Sequence, residues 1–521
     1  MKSITITILE TSDVHGNVLP IHYGNNEPAE HGLAKIATLI KQERNRNQNT
    51  IVVDNGDLIQ GTPLTYHYVR YNQGQVNPMI KLLNHLNYDA AIIGNHEFNY
   101  GMEVLQQAMK DSKFPWLSAN ILNEKGEPFT DKPYIMIELE EGIKVAVLGV
   151  TTHYIPNWEN PEHIMGLTFT DAFETTKEWV KKIHAIEKPD ILAVSYHGGF
   201  EADIETGELT EKLTGENQGY RICQEIEGID LLLTGHQHRA LVGEINGVPI
   251  IQPSFNGQAI GKITLTLTKT ENKWKITESK PDLVFVDEMD VDESSVQLIE
   301  EYERKTQEWL DKPIGHVQGN MTIDDPFQAR VKEHPLIEFI NKVQMDASKV
   351  SISSTALFNN VTKGFPSMIT MRDIVSSYIY PNTLTVIRIT GKDMKQALER
   401  SASYFMIKNG EVTINPSFTT PKPQHYNYDM WEGIDYIFDV SKPIGERVVH
   451  LTFQGEVVQP DKEYDVVMNN YRAGGGGEYS MFKDKPIIKD IPLDMSELIA
   501  NYILERGTIE ATVDHNWKII W

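Results

Sequence analysis

The sequence predicts an α/β protein of two domains, and three observations lead there. Five short apolar runs in the first half, ITITILETSDVH, TIVVDNGD, AAIIGNHE, ILAVSYHGG and IDLLLTGHQH, each end in residues of metal-ligand type. Amphipathic segments such as 33–45 and 169–186 alternate with these runs. At 521 residues the chain exceeds what one ordinary core organises. Short β-branched runs read as buried strands, and their alternation with amphipathic segments is the pattern of a layered α/β domain.

Taken in order, the elements divide the chain into residues 1–288, a linker helix over 289–315 and a second domain over 316–521. In the first domain the segment from His238 onward changes to period-2 stretches broken by Asn-Gly and Gly. These read as antiparallel strands completing a second sheet. Residues 291–310 (VDESSVQLIEEYERKTQEWL) carry apolar positions at helical spacing among many charges, and Lys312-Pro313-Ile314-Gly315 closes that helix. The second domain is expected to be α/β as well, with a helix at 334–347 and strands such as EYDVVMNN. The one low-complexity stretch is Gly474 to Gly477, and no internal repeat is present.

Composition excludes several classes of function. The net charge of −25 leaves no broad basic surface for duplex nucleic acid. A local positive pocket or bound cations could still hold one small phosphate. No run of about 18 apolar residues is present, so no membrane-spanning helix is expected. Cys223 is the sole cysteine, which rules out an internal disulfide and a thiolate metal site; a small buried hydrophobe is the expected role. Met1 leads directly into a strand with no signal-type segment, so the expected location is cytoplasmic. An exported chain after signal removal would read the same.

The clusters at the run ends hold Asp13, His15, Asp57, Asn95, His96, His197, His236 and His238. Ligands of α/β sheets collect beyond the carboxyl ends of the strands, so five such clusters converge on one site. Asp13 and His15, two apart on an extended strand end, would share a face. Gly56 allows a tight turn that frees the Asp57 carboxylate, whose two oxygens suit it to bridge two cations. Asn95 offers a neutral carbonyl oxygen, and the histidines offer imidazoles suited to zinc, manganese, iron or nickel. Any one cluster alone would be a cap or a structural histidine; five in the same order make a metal site.

The order D-x-H, G-D, G-N-H-E, H-G, G-H-x-H resembles the calcineurin-like metallophosphoesterases, and with the second half the 5′-nucleotidase family. The resemblance implies a four-layer α/β-β/α first domain and a carboxy-terminal α/β substrate-binding domain. It also implies two divalent metal ions (manganese, zinc or similar), with Asp13, His15, Asp57 and His238 around one. Asp57, Asn95, His197 and His236 surround the other. Two cations about 3.5–4 Å apart activate water and polarise a phosphoryl group. His96 is then the candidate to stabilise charge or to protonate the leaving alcohol, and Asn95 doubles as a substrate contact.

One departure selects a branch. The 5′-nucleotidase pattern continues G-N-H-E-F-D, whereas this chain has Asn99 at the last position. Asn99, as an orienting partner of His96, resembles the 2′,3′-cyclic-nucleotide 2′-phosphodiesterase/3′-nucleotidases. In VVMNNYRAGGGGEYSMF, Tyr471 takes the family's aromatic position and Gly477 stands where the 5′-nucleotidase Asp would be. Tyr428, in YNYDMW, is the matching second aromatic, and the two are expected to sandwich a nucleobase. The Gly-Gly-Gly-Ile-Arg motif has no counterpart; residues 353–360 read SSTALFNN. Tyr380-Pro381-Asn382 resembles a pocket segment, with Asn382 as a substrate contact. The expected function is hydrolysis of ribonucleoside 2′,3′-cyclic phosphates and 3′-nucleotides. The alternative is a 5′-nucleotidase or UDP-sugar hydrolase.

Overall fold

The structure, a computed structural model, describes residues 2–521 except 131, 158, 212, 272, 381, 421 and 492. It forms two compact units, residues 1–306 and 307–521.

The first unit is built on two six-stranded sheets. Its strands are β1 (Ser3–Thr11), β2 (Thr50–Asp54), β3 (Ala90–Ile92), β4 (Trp116–Leu117), β5 (Tyr134–Glu138) and β6 (Lys144–Thr151). They continue as β7 (Ile191–His197), β8 (Leu231–Thr234), β9 (Ala240–Ile245), β10 (Val248–Pro253), β11 (Ala259–Thr270) and β12 (Lys273–Phe285). The first sheet has the order β12-β11-β1-β2-β3-β4 and the second β9-β10-β8-β7-β6-β5. Strands β1 to β4 run parallel, as do β6, β7, β8 and β10. All five apolar runs of the sequence are therefore parallel strands of these sheets, and each delivers its cluster at its carboxyl end.

Alternation along the strands sorts the core. Ile6, Ile8, Ile51, Val53 and Ile92 of the first sheet pack directly against Val145, Val147, Ile191, Leu231 and Leu233 of the second. The outer face of the second sheet (Leu148, Val194, Leu232) is covered by α2 (Ala172–Ile186) through Phe173, Val180 and Ile183. It is also covered by α3 (Gly219–Glu225) through Ile222 and Cys223. The buried face of α1 (Leu33–Arg46) covers β2 on the far side of the first sheet. The result is the expected four-layer α/β-β/α sandwich. Each fully buried aliphatic side chain contributes about 1.5–3 kcal/mol, so the layers are held mainly by these three apolar seams.

The antiparallel strands after His238 divide between the sheets. β9 and β10 complete the second sheet, but β11 and β12 form a long hairpin on the first, where β11 pairs with β1 from Ser3↔Thr268 to Glu10↔Gly261. The chain changes sheet at Ser254 and Asn256, both in the left-handed region, a reversal that period-2 patterning does not reveal.

Helix α4 (Glu293–Leu310) comes next along the chain. Its first turns are anchored on the first unit: Asp292 accepts from Lys41 Nζ at 2.6 Å, and the Tyr302 hydroxyl donates to the Val76 carbonyl at 2.8 Å. The second unit centres on a mixed sheet of β13 (Ser353–Ala356), β14 (Leu384–Thr390), β15 (Asp429–Glu432), β16 (Glu463–Asn469) and β17 (Ile487–Ile491), in the order β15-β13-β16-β14-β17. α5 (Pro335–Ser348) and α6 (Gly391–Ala402) share its core with Val386, Ile389, Val466 and Met468.

Candidate metal centre

The loops after β1 and β2 are laced together backbone to backbone. Asp13 N–H donates to the Gly56 carbonyl (2.9 Å), His15 N–H to Asp57 (2.8 Å) and Gly16 N–H to Leu58 (3.0 Å). Asp13, His15, Asp57, His236 and His238 all adopt positive φ, between 50° and 67°. The left-handed region costs about 1–2 kcal/mol per non-glycine residue, so five such residues persist only because the surrounding bonds fix them. Asp13 and His15 thus share a face by a left-handed turn, not by the extended strand end expected from the sequence. Neighbouring glycines leave no room for a Cβ: at Gly94 it would meet Asp57 Oδ1 at 2.4 Å, and at Gly235 Ser12 Oγ at 2.1 Å.

Two groups result. Asp13, His15 and His238 present ligand atoms all within 4.8 Å of one another, and Asp57, His197 and His236 do the same. In the first, His15 Nε2 lies 3.1 Å from His238 Nε2, which is 3.4 Å from Asp13 Oδ1. In the second, Asn95 Oδ1 lies 3.1 Å from His197 Nε2 and 2.9 Å from His236 Nδ1, and Asp57 Oδ2 is 3.3 Å from His197 Nε2. All seven residues expected as ligands are therefore gathered. Neighbouring ligands around a cation bonded at about 2.0–2.2 Å stand about 3.0–3.5 Å apart, which is this spacing.

The tautomers fit cations as well. His197 Nδ1 donates to the Asn55 carbonyl (2.7 Å) and His15 Nδ1 to the Gln60 carbonyl (3.2 Å), leaving each Nε2 directed at the site. In the first group the His15 lone pair faces His238 Nε2 and the Asp13 carboxylate, so positive charge is called for there. Burial pushes His15 down to about 4, against the pull of Asp57, so it does not supply that charge as a proton. In the second group burial opposes a charged His197, yet the Asp57 carboxylate beside it lifts it to about 10, so without a cation a proton on Nε2 supplies the charge there. Asp57 is itself held well below the usual carboxylate range, because His197 and His96 outweigh its burial.

Several residues that organise the site carry no role in the sequence reading. Glu97 is fully buried and accepts four backbone N–H groups: Asp57 and Gly94 on Oε2 (2.8 and 2.7 Å), Leu58 and Ile59 on Oε1 (2.7 and 3.3 Å). It ties the β2 and β3 loops together, and its place in G-N-H-E was the available signal. Glu216 Oε1 stands 3.0 Å from His236 Nε2 and orients that ring. Nothing local in sequence marks Glu216, Asn55 or Gln60.

His96 opens a 3₁₀ turn, His96–Phe98, with Asn99 at its end. Its backbone N–H donates to Asp57 Oδ1 (2.7 Å), its ring lies 5.1 Å from that of His15, and Nδ1 is 2.6 Å from Asn99 Oδ1.

In the second unit the expected Tyr428–Tyr471 sandwich does not form. Tyr428 is fully buried, stacked on Tyr404 at 4.9 Å, with its hydroxyl donating to the Arg330 carbonyl. Tyr426 instead lies edge-on to Tyr471, at 6.5 Å between ring centres and 71° between ring planes, and edge-on to Tyr380 at 6.2 Å. The 3₁₀ turn His425–Asn427 inverts which of the two tyrosines points outward. Arg472 fixes this arrangement. Fully buried, it pairs with both oxygens of Asp429 (2.8 and 3.0 Å) and donates to the Tyr426 carbonyl (2.8 Å). Asn382 is half-buried and its carbonyl accepts from Met495 N–H; Pro381 lies outside the described residues. In the stretch that replaces Gly-Gly-Gly-Ile-Arg, the Ser354 and Thr355 hydroxyls are buried, and Asn359 caps its own turn.

Known proteins share this framework. Residues 6–240 match the calcineurin-like phosphoesterase family and residues 313–484 the 5′-nucleotidase carboxy-terminal domain. A crystal structure of a candidate 5′-nucleotidase from Staphylococcus aureus superimposes with a TM-score of 0.91 at 35% identity, covering 99% of this chain and 100% of that one. The chain belongs to the 5′-nucleotidase family of calcineurin-like metallophosphoesterases. Among other relatives of this metallophosphoesterase, the 2′,3′-cyclic-nucleotide 2′-phosphodiesterase/3′-nucleotidase of Salmonella typhimurium is 29% identical over 99% of this chain and 89% of its own length. The trifunctional nucleotide phosphoesterase YfkN of Bacillus subtilis is also 29% identical over 99% of this chain, which spans only 39% of that longer protein.

Proposed function

We propose that the chain is a dimetal phosphoesterase that opens ribonucleoside 2′,3′-cyclic phosphates to 3′-nucleotides and then hydrolyses these to nucleoside and phosphate. The observation that carries the reading is Asn99 at 2.6 Å from His96 Nδ1, an amide where the 5′-nucleotidase pattern has a carboxylate. The full-length likeness to the cyclic phosphodiesterase of Salmonella supports the same branch.

Asp13, His15 and His238 would hold one divalent cation, and Asn95, His197 and His236 the other, with Asp57 bridging. The cations, when bound, supply Lewis-acid charge to the phosphoryl group. His96 does the proton work, standing beside the site with its Nδ1 already committed to Asn99. In the second unit Tyr471 and Tyr426 offer ring faces for stacking a base, an interaction worth about 1–3 kcal/mol and tolerant of base identity.

Hydrolysis of 2′,3′-cyclic AMP and 3′-AMP, measured with manganese against 5′-AMP, tests the reading. The expected result is a higher kcat/KM on the first two; rapid 5′-AMP hydrolysis without cyclic phosphodiesterase activity would establish the 5′-nucleotidase alternative. Asp57→Ala is expected to abolish both metal binding and turnover.

A further inference from the structure

Behind Asn99 lies a carboxylate. Asn99 Nδ2 is 2.7 Å from Glu159 Oε2, and Glu159 Oε1 is 2.9 Å from His163 Nδ1 and accepts the Asn160 N–H at 2.8 Å. The Glu159 side chain is only 5% exposed, so water screens its charge little. The backbone N–H of His96 is taken by Asp57 Oδ1, and its ring lies against that of His15.

This row of groups has one polarity. An ionised carboxylate only accepts, so the Asn99 amide must turn its nitrogen to Glu159. Its oxygen then faces His96, and the His96 Nδ1 must carry the hydrogen. The ring is thereby left with Nε2 as its only site for gaining or losing a proton. An asparagine alone could flip and impose the opposite tautomer; the carboxylate removes that freedom. It also returns, one residue further out, the negative charge that Asn99 lacks.

We propose that Glu159 is a positioning residue for His96, acting through Asn99 to fix the ring with Nδ1–H inward and Nε2 toward the leaving oxygen of the substrate. The inference rests on His96 as the proton donor under the proposed function. As the phosphorus–oxygen bond to the ribose breaks, its electron pair stays on that oxygen, which takes the Nε2 proton. His96 becomes neutral and keeps Nδ1–H on Asn99. Water forms the new phosphorus–oxygen bond and releases its proton to solvent. Glu159 keeps the Asn99 amide nitrogen throughout.

The test exchanges amide and carboxylate. E159Q leaves the Asn99 amide free to face either way and should lower kcat on the nucleotide about tenfold to a hundredfold with KM little changed. With a p-nitrophenyl phosphoester, whose leaving group needs no proton, the loss should be at least about tenfold smaller. The double variant N99D/E159Q places the carboxylate directly on His96 and should recover much of the E159Q loss, whereas N99D alone crowds two carboxylates and should not improve on wild type. Full activity in E159Q, equal losses on the two ester classes, or a double variant no better than E159Q would overturn the proposal. Nitrogen-15 histidine spectra of the chelator-treated full chain give a second readout independent of turnover. His96 should carry its proton on Nδ1, and an Nε2–H tautomer in the wild type refutes the inference. Should 5′-AMP prove the better nucleotide substrate, the comparisons are made with it, so failure of the substrate assignment and failure of the relay remain distinct.

Discussion

Individual carboxyl groups in this protein are set by their surroundings to opposite ends of the scale, and the second unit shows the upper end. Glu432 is buried in β15, and its burial together with Asp514, Glu338 and Glu333 pushes it up to about 9. A folded-state value above the unfolded one means the native state holds a proton that the unfolded chain releases near pH 4.5. The stability this group contributes is therefore full below about pH 4.5 and is lost as pH rises toward 9. Glu432→Gln reproduces the neutral carboxyl at every pH. It should leave the urea midpoint unchanged near pH 4.5 and stabilise the protein by about 5 kcal/mol at pH 8.5, at about 1.4 kcal/mol for each pH unit above 4.5. An equal shift at both pH values would show that packing, not ionisation, governs the site. The pair Tyr426 and Tyr428 makes a related point about legibility. Both lie in one aromatic segment, and sequence alone favours the one that matches a family motif. The choice is made by the 3₁₀ turn at His425–Asn427 and by Arg472, whose partner Asp429 is 43 residues away.

At the scale of elements, the parallel strands are legible because burial on both faces demands unbroken apolar runs, and each run ends where its ligand loop begins. The segment after His238 is less so, since an antiparallel hairpin carries the same alternation whichever sheet it joins. Helix α4 is legible as a helix but not in its attachment, which depends on Asp292. Burial opposes ionisation of Asp292, but hydrogen bonds from Lys41, Ser294 and Ser295 hold it well below the usual carboxylate range. A depressed value contributes stability above the unfolded-state value of about 3.9, and this is lost as pH falls through that range toward the folded value. Asp292→Asn should thus lower stability by about 1 kcal/mol at pH 7, the worth of a charge-assisted pair near the surface. The difference should narrow as pH drops below about 4, as chemical denaturation at the two pH values would reveal. A constant difference would assign the loss to the changed hydrogen-bond geometry alone.

For the molecule as a whole, the legible part of the site is what its chemistry requires locally, namely seven ligand-type residues at five strand ends. The less legible part is what distant loops contribute: Glu216 behind His236, Glu159 behind Asn99, and Asn55 and Gln60 as tautomer-setting carbonyls. All of these, with the five left-handed residues, lie in residues 1–306, so metal binding should be a stability term of that unit. Ligands that bind only the folded state add RT ln(1 + [L]/Kd), about 2.7 kcal/mol per ion at a hundredfold excess over Kd. The opposing costs are roughly 1–2 kcal/mol per left-handed residue and the mutual repulsion of facing lone pairs in the first group, which the cations relieve. Calorimetry of the full chain with and without a chelator should therefore show one unfolding component, that of residues 1–306, moving to lower temperature while that of residues 307–521 stays in place. Limited proteolysis during heating would assign the components. Asp57→Ala, unable to bridge, should already melt at the lower temperature and should shift little further on chelation. Movement of both components, or of neither, would mean that the two His/Asp groups do not bind metal as an integral part of the first unit.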